Sequence, residues 1–91
     1  MLRITKVAES PSHVILQLEG WIVSEWVAVL KRECLTALRA QRTVLLDFSG
    51  VIFVNRRGVE MLQSLASDNL RIINCSALIE DLLQGGESVP L

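Results

Sequence analysis

The chain is poor in the residues that build most small functional sites. Its two cysteines, Cys34 and Cys75, are too few for a disulfide framework, and neither belongs to a Cys-x-x-Cys pair. A reduced, cytoplasmic setting is the expectation. A single histidine, His13, excludes a His-based metal cluster. No charge of one sign dominates: nine Lys and Arg stand against ten Asp and Glu, a formal net charge of −1. Nucleic-acid binding needs a basic balance to neutralise phosphates, so no nucleic acid is expected as a partner. No apolar run reaches the ~18 residues of a membrane span, and Met1–Lys6 has no signal-peptide core. At 91 residues the chain is expected to be one domain over 1–91. No nucleophile with base and orienter, no glycine-rich phosphate loop and no metal spacing is visible. An enzyme is therefore not expected, and no cofactor or metal.

Apolar side chain is what the sequence has in plenty, at 51% of residues. A chain of this size hides only ~60–65% of the surface its unfolded form exposes. Some apolar surface is expected to stay outside or to meet a partner.

The hydropathy pattern sets the order β-β-α-β-α-β-α. Leu2–Val7 alternates as a short strand, Glu9–Ser12 is turn chemistry, and His13–Glu19 alternates again with Val14, Leu16 and Leu18 on one face. These two strands read as an antiparallel hairpin, the second ended by Gly20. Ser24 is placed to cap a first helix that runs to about Ala40, with Val27, Leu30, Cys34, Leu35 and Leu38 as its core stripe. Thr43–Asp47 suits a strand covered on both sides, and Ser49-Gly50 reads as the start of a loop. Asn55 is placed to cap a second helix, Arg56 to Ser67, whose core face is Val59, Leu62, Leu65 and Ala66. Leu70–Ile73 is a fourth strand, and Ser76 caps a third helix stopped by Gly85-Gly86. Alternating strands and helices predict parallel pairing with right-handed crossovers.

The segment Leu46-Asp47-Phe48-Ser49-Gly50-Val51-Ile52-Phe53-Val54-Asn55-Arg56-Arg57-Gly58-Val59 resembles the STAS domains of bacterial anti-sigma-factor antagonists and sulphate transporters. Gly20-Trp21-Ile22 resembles the glycine-led turn before that family's first helix, and Leu82-Leu83 with Gly85 the end of its later helix. The resemblance implies an α/β fold: a mixed four-stranded sheet with three main helices, wound as a β-α superhelix. It also implies a site at the start of the second helix, where antagonists carry Asp, Ser or Thr, a variable residue and Gly. A partner kinase phosphorylates that hydroxyl, and the phosphate breaks the complex. Here the matching residues are Asn55, Arg56, Arg57 and Gly58. Arginine accepts no phosphoryl group, so no phosphorylation is expected at Arg56. Val23 replaces an acidic residue frequent in the family. The family's last strand and helix are expected to be reduced to Ser88-Val89-Pro90-Leu91 or absent, a domain shortened at its C-terminus.

The candidate partner-binding residues are Asn55, Arg56, Arg57, Gly58 and Ser49. Two arginines at a helix N-terminus oppose the macrodipole. Either both swing into water, or they join the Asn55 amide and free N–H groups to hold a partner's carboxylates or a phosphate. Gly58 serves either packing against the sheet or close approach by a partner. Ser49 serves the turn, with use as a substitute phosphoacceptor as the alternative, and Asp47 is expected to cap loop N–H groups. Trp21 and Trp26 read as partner anchors or as cover for a sheet edge. Cys34 reads as a packing residue, Cys75 as an unreactive thiol or one activated by the following helix.

The leading expectation is a regulatory module that binds an anti-sigma factor or kinase-like regulator, without the phospho-switch. The alternatives are a STAS subunit of a lipid ABC transporter, bound to its ATPase, and a sensor of an anion or nucleotide at the second helix. A homodimer through the Trp21–Trp26 region or the C-terminal edge is also expected.

Overall fold

A computed structural model describes residues 1–84; the Gly85-Gly86 helix stop and the Ser88–Leu91 remnant lie outside the described residues. The elements are β1 (Leu2–Glu9), β2 (His13–Ile22), α1 (Glu25–Arg39), β3 (Thr43–Val54), α2 (Arg56–Leu65), β4 (Leu70–Ile73) and α3 (Ala77–Leu83). The sheet order is β1-β2-β3-β4, with β1 antiparallel to β2 and the other pairs parallel. This is the expected mixed four-stranded sheet with three helices. Each parallel crossover steps one strand in the same direction, and α1 packs on α2 and α2 on α3. Right-handed crossovers that all step the same way place their helices in one layer.

That single layer corrects one expectation: β3 is not covered on both sides. Val44, Leu46 and Phe48 are buried under the helices, while Leu45 and Asp47 between them are only half-buried. The core is therefore one slab: Val14, Leu16, Leu18 and Ile22 from β2, the buried residues of β3, and Leu30, Cys34, Met61, Leu62 and Ile79 from the helices.

A second correction concerns Ser49-Gly50, which is strand and not loop. The β3 ladder continues from Gln17↔Asp47 through Glu19↔Gly50 to Ile22↔Val54, with an irregularity on either side of the Glu19–Gly50 and Gly20–Val51 pairs. Gly50 marks a bulge: a Cβ there would lie 3.0 Å from the Leu18 carbonyl oxygen, a gap only glycine leaves open. Nor does β2 end at Gly20. Its positive φ of 110° turns the strand, and Trp21 N–H then donates to the Met1 carbonyl at 2.8 Å.

The helices differ from expectation in detail. Ser24 precedes α1 but does not cap it with its side chain; its φ of 54° and ψ of −136° carry the hydroxyl away from the first-turn N–H groups. On α1 the fully buried residues are Leu30, Cys34 and Ala37, whereas Leu35 is half-buried on the outside, where it lines a surface hollow. Trp26 is half-buried against the core, above Leu2, Ile4 and Leu16. The edge strand β1 widens the sheet beyond the ordinary stripe of α1, and the indole covers it. Helix α2 stops at Leu65 because Ala66 turns extended, which leaves Ala66 exposed and gives Ser67 to the following turn. Ser76 caps α3 as expected, its hydroxyl accepting from Ile79 N–H at 3.2 Å, but Leu78 is exposed.

Burial pushes the Cys34 thiol up to about 12. Cys75 is also raised, by burial first and the Glu80 carboxylate second, so α3 does not activate it. Iodoacetamide near pH 8 is expected to label Cys75 slowly in the native protein and Cys34 only after unfolding, as peptide mapping would show.

Candidate functional site

The site forms where the parallel strands end and the helices begin. Asn55 joins the two. Its backbone N–H donates to the Ile22 carbonyl at 3.1 Å, which ties the end of β3 to the end of β2. Its side-chain oxygen accepts from Gly58 N–H at 2.8 Å, capping α2 as the sequence predicts. The amide oxygen is thus engaged in the fold.

Gly58 lies in the first turn and is buried. A Cβ there would sit 2.8 Å from Val54 Cγ1 and 3.2 Å from both Ile22 Cγ2 and the Ile22 carbonyl oxygen. Close packing against the strand ends therefore occupies Gly58.

Arg56 and Arg57 are exposed on the first turn of α2. Arg56 Nε lies 3.4 Å from Glu60 Oε2, one helical turn on. Such an exposed pair contributes only ~0.3–0.5 kcal/mol, but it offsets the unfavourable placement of a cation against the macrodipole. Arg57 has no carboxylate partner among the described residues. It borders a hollow of about 380 Å³ between α1 and α2, together with Ser24, Lys31, Glu60 and Met61.

Ser49 is not at this helix start. It lies in β3 with its N–H donating to Asp47 Oδ1 at 2.9 Å. Five residues of bulged strand, 50–54, lie between it and Asn55, on the order of 15–20 Å. Asp47 holds this segment as expected. The Ser49 N–H, and next the Asn74 amide at 3.2 Å from the same oxygen, keep its carboxyl below the usual carboxylate range.

Beside the helix start lies a cluster that includes two residues not recognised from the sequence as partner contacts, Ile52 and Phe53. The β2–β3 register pairs Trp21 with Phe53, their rings 5.8 Å apart and tilted by 54°. Their chain neighbours Ile22 and Val54 are buried under the helices, so the aromatic pair faces the opposite side of the sheet. Trp21 is 48% exposed, Phe53 39% and Ile52 61%, a large apolar outlay for one strand end. The signal was present: continuing the strand past Gly50 brings Phe53 opposite Trp21. Trp26, by contrast, is withdrawn into the core and offers no comparable anchor.

Two outcomes are expected from this geometry. Gly58→Ala gains helix propensity of up to ~1 kcal/mol but forces Val54 and Ile22 aside, an overpacking cost of ~1–3 kcal/mol. Denaturant melts should therefore show a net loss. The depressed Asp47 carboxyl contributes stability that is present above pH ~4 and is lost as pH falls through its lower folded value. Asp47→Asn should flatten the stability profile below about pH 4 in acid-titrated melts.

No family model and no curated protein matches the sequence. A solved structure of the anti-sigma-factor antagonist SpoIIAA in its unphosphorylated form matches the fold, with a TM-score of 0.67 at 19% identity. The match covers 90% of this chain and 82% of that one. Among the described residues no helix is long and apolar enough to cross a membrane. The chain thus shares the fold of that antagonist: a mixed four-stranded sheet with its helices.

Proposed function

We propose that this chain is a non-enzymatic, cytoplasmic regulatory module that binds a protein partner at the Asn55–Gly58 helix start. The carrying observation is that two exposed arginines on α2 and the exposed Trp21, Ile52 and Phe53 stand at the same end of the sheet, the aromatic pair on the face opposite the helices. Tryptophan and arginine are the residues on which interface energy concentrates. Asn55 and Gly58 hold the helix start in place, Arg56 and Arg57 meet acidic groups of the partner, and Ser49, well back along β3, is reached only by a partner that extends along the strand. The likeness of the fold to that of an anti-sigma-factor antagonist supports an anti-sigma factor or kinase-like regulator as the partner. Segment 55–58 contains no hydroxyl, so the association is not switched by phosphorylation there.

The test is titration calorimetry against serine-kinase-like anti-sigma factors of the same genome, and against the ATPase of a lipid ABC transporter. One of them is expected to bind, and Arg56→Glu with Arg57→Glu should weaken it at least about tenfold, with Phe53→Ala acting in the same direction. Undiminished binding by both variants overturns the reading, and binding to the ATPase alone selects the transporter-subunit alternative. Incubation with the kinases should leave 55–58 unphosphorylated; stoichiometric phosphate on Ser49 would place the switch there instead. A homodimer through Trp21 and Phe53 competes for the same surface, and light scattering over a concentration series reads it directly.

A further inference from the structure

The nine cations are not distributed or paired evenly. Arg3, Lys6, Arg42 and Arg56 each have a carboxylate partner, in the contacts Arg3–Glu19, Lys6–Glu9, Arg42–Glu9 and Arg56–Glu60. Among the described residues the other five have none, and four of those, Lys31, Arg32, Arg39 and Arg57, lie on α1 and the facing start of α2. Ala28, Lys31, Arg32, Leu35 and Arg39 recur at helical spacing along the outside of α1, opposite the buried Leu30, Cys34 and Ala37. An ordinary solvated helix face interleaves charges of both signs for i,i+4 support. Between Ala28 and Arg39 this stripe carries no acid; Glu25, in the first turn, is the one carboxylate on the same face of α1.

The stripe is also concave. A hollow of about 200 Å³ runs over Ala28, Leu35 and Arg39, and it shares Ala28 and Lys31 with the larger hollow against Arg57 and Met61. Together they form one shallow groove with a floor of small and apolar side chains and walls of cations. Glu60 is the single carboxylate on its rim. Leu35, half-buried and outside the core cluster, lies between the cations.

We propose that this groove docks a short acidic segment of a partner protein, with one apolar side chain seated on Leu35 and carboxylates on either side. Charge complementarity selects the occupant. Lys31 and Arg39 are eight residues apart on one helix, ~12 Å along its axis. An acidic helix of about two turns spans that distance. A nucleic acid fits less well, because no aromatic side chain lines the groove to stack on bases. A membrane surface fits less well too, because the exposed aromatics sit on the sheet face rather than here. The groove is a second surface beyond the helix start, and it stands whether or not Arg56 contacts a partner.

The probe is a labelled peptide of about 12 residues with alternating Glu pairs and single Leu, followed by fluorescence anisotropy. Controls are the same peptide with every Glu replaced by Gln, a single-stranded RNA of equal length, and phosphatidylglycerol vesicles. The acidic peptide is expected to bind with micromolar affinity, weakened at least about tenfold by Lys31→Glu with Arg39→Glu and by raising salt from about 0.05 to about 0.3 M. Lys31→Gln with Arg39→Gln should give a smaller loss in the same direction, and circular dichroism confirms that each variant is folded. Arg71→Glu, on β4 and outside the groove, should leave the affinity unchanged. No binding, equal binding of the Gln peptide, or equal binding by the Lys31–Arg39 variants overturns the proposal. Loss on Arg56→Glu alone would assign the peptide to the helix start. Preference for RNA or vesicles would replace the occupant.

Discussion

The approach of Gly58 to Val54 and Ile22 is the constraint on which the upper end of the molecule depends. It lets the first turn of α2 rest directly on the ends of two strands. Asn55 can then bridge both, with its N–H on Ile22 and its side chain on Gly58. With the helix so close to the sheet, the two residues before Gly58 have no room inside and must project outward. They are Arg56 and Arg57. The exposed cations at this helix start are thus a consequence of packing, and the partner surface proposed there would build on a position the core already fixes.

The same economy governs the apolar residues. All three helices lie on one side of the sheet, so half of every strand's side chains have no layer above them. β2 answers with Gln17 and Glu19, and β3 with Asp47 and Ser49, the usual polar alternation of a one-sided sheet. The alternation fails at the strand ends, where Trp21, Ile52 and Phe53 stand exposed. Fold stability does not call for large apolar groups there, since Ile22 and Val54 already close the core at those positions. This break in pattern, which the fold does not require, is what motivates the contact surface proposed there.

Most elements could be read from periodicity and caps, because each rests on local chemistry. Asn55 and Ser76 cap as their side chains dictate, and Val14, Leu16 and Leu18 alternate into the core as β2 requires. Two of the readings that changed are those in which a neighbouring strand overrules a local signal. Ser49-Gly50 has the composition of a turn, yet the ladder to β2 continues through it as a bulge, with Gly50 kept small by the Leu18 backbone. Trp26 falls off the α1 stripe only when the sheet is taken to be as narrow as one helix; the hairpin adds β1, and the indole covers it. The helix start was legible as a candidate site because its motif is contiguous in sequence. The Trp21–Phe53 pair was not, because 32 residues separate the two rings and only the register unites them.

Net charge conceals what charge placement reveals. A formal −1 over the whole chain suggests a surface with no preference. Yet the unpaired cations gather: among the described residues Lys31, Arg32, Arg39 and Arg57 lie on α1 and the start of α2, and Arg71 alone lies elsewhere. The paired arginine and the unpaired one at the start of α2 make the contrast local. Arg56 is turned along its own helix to Glu60, in an exposed pair that leaves it open to solvent. Arg57 lies across from Lys31, so two like charges border the same hollow. Like charges at such a site cost a little in the free protein, and that cost is recovered when an anionic group enters between them. The placement of Arg57 thus links the helix start to the α1 groove, and a partner with acidic groups would draw on both.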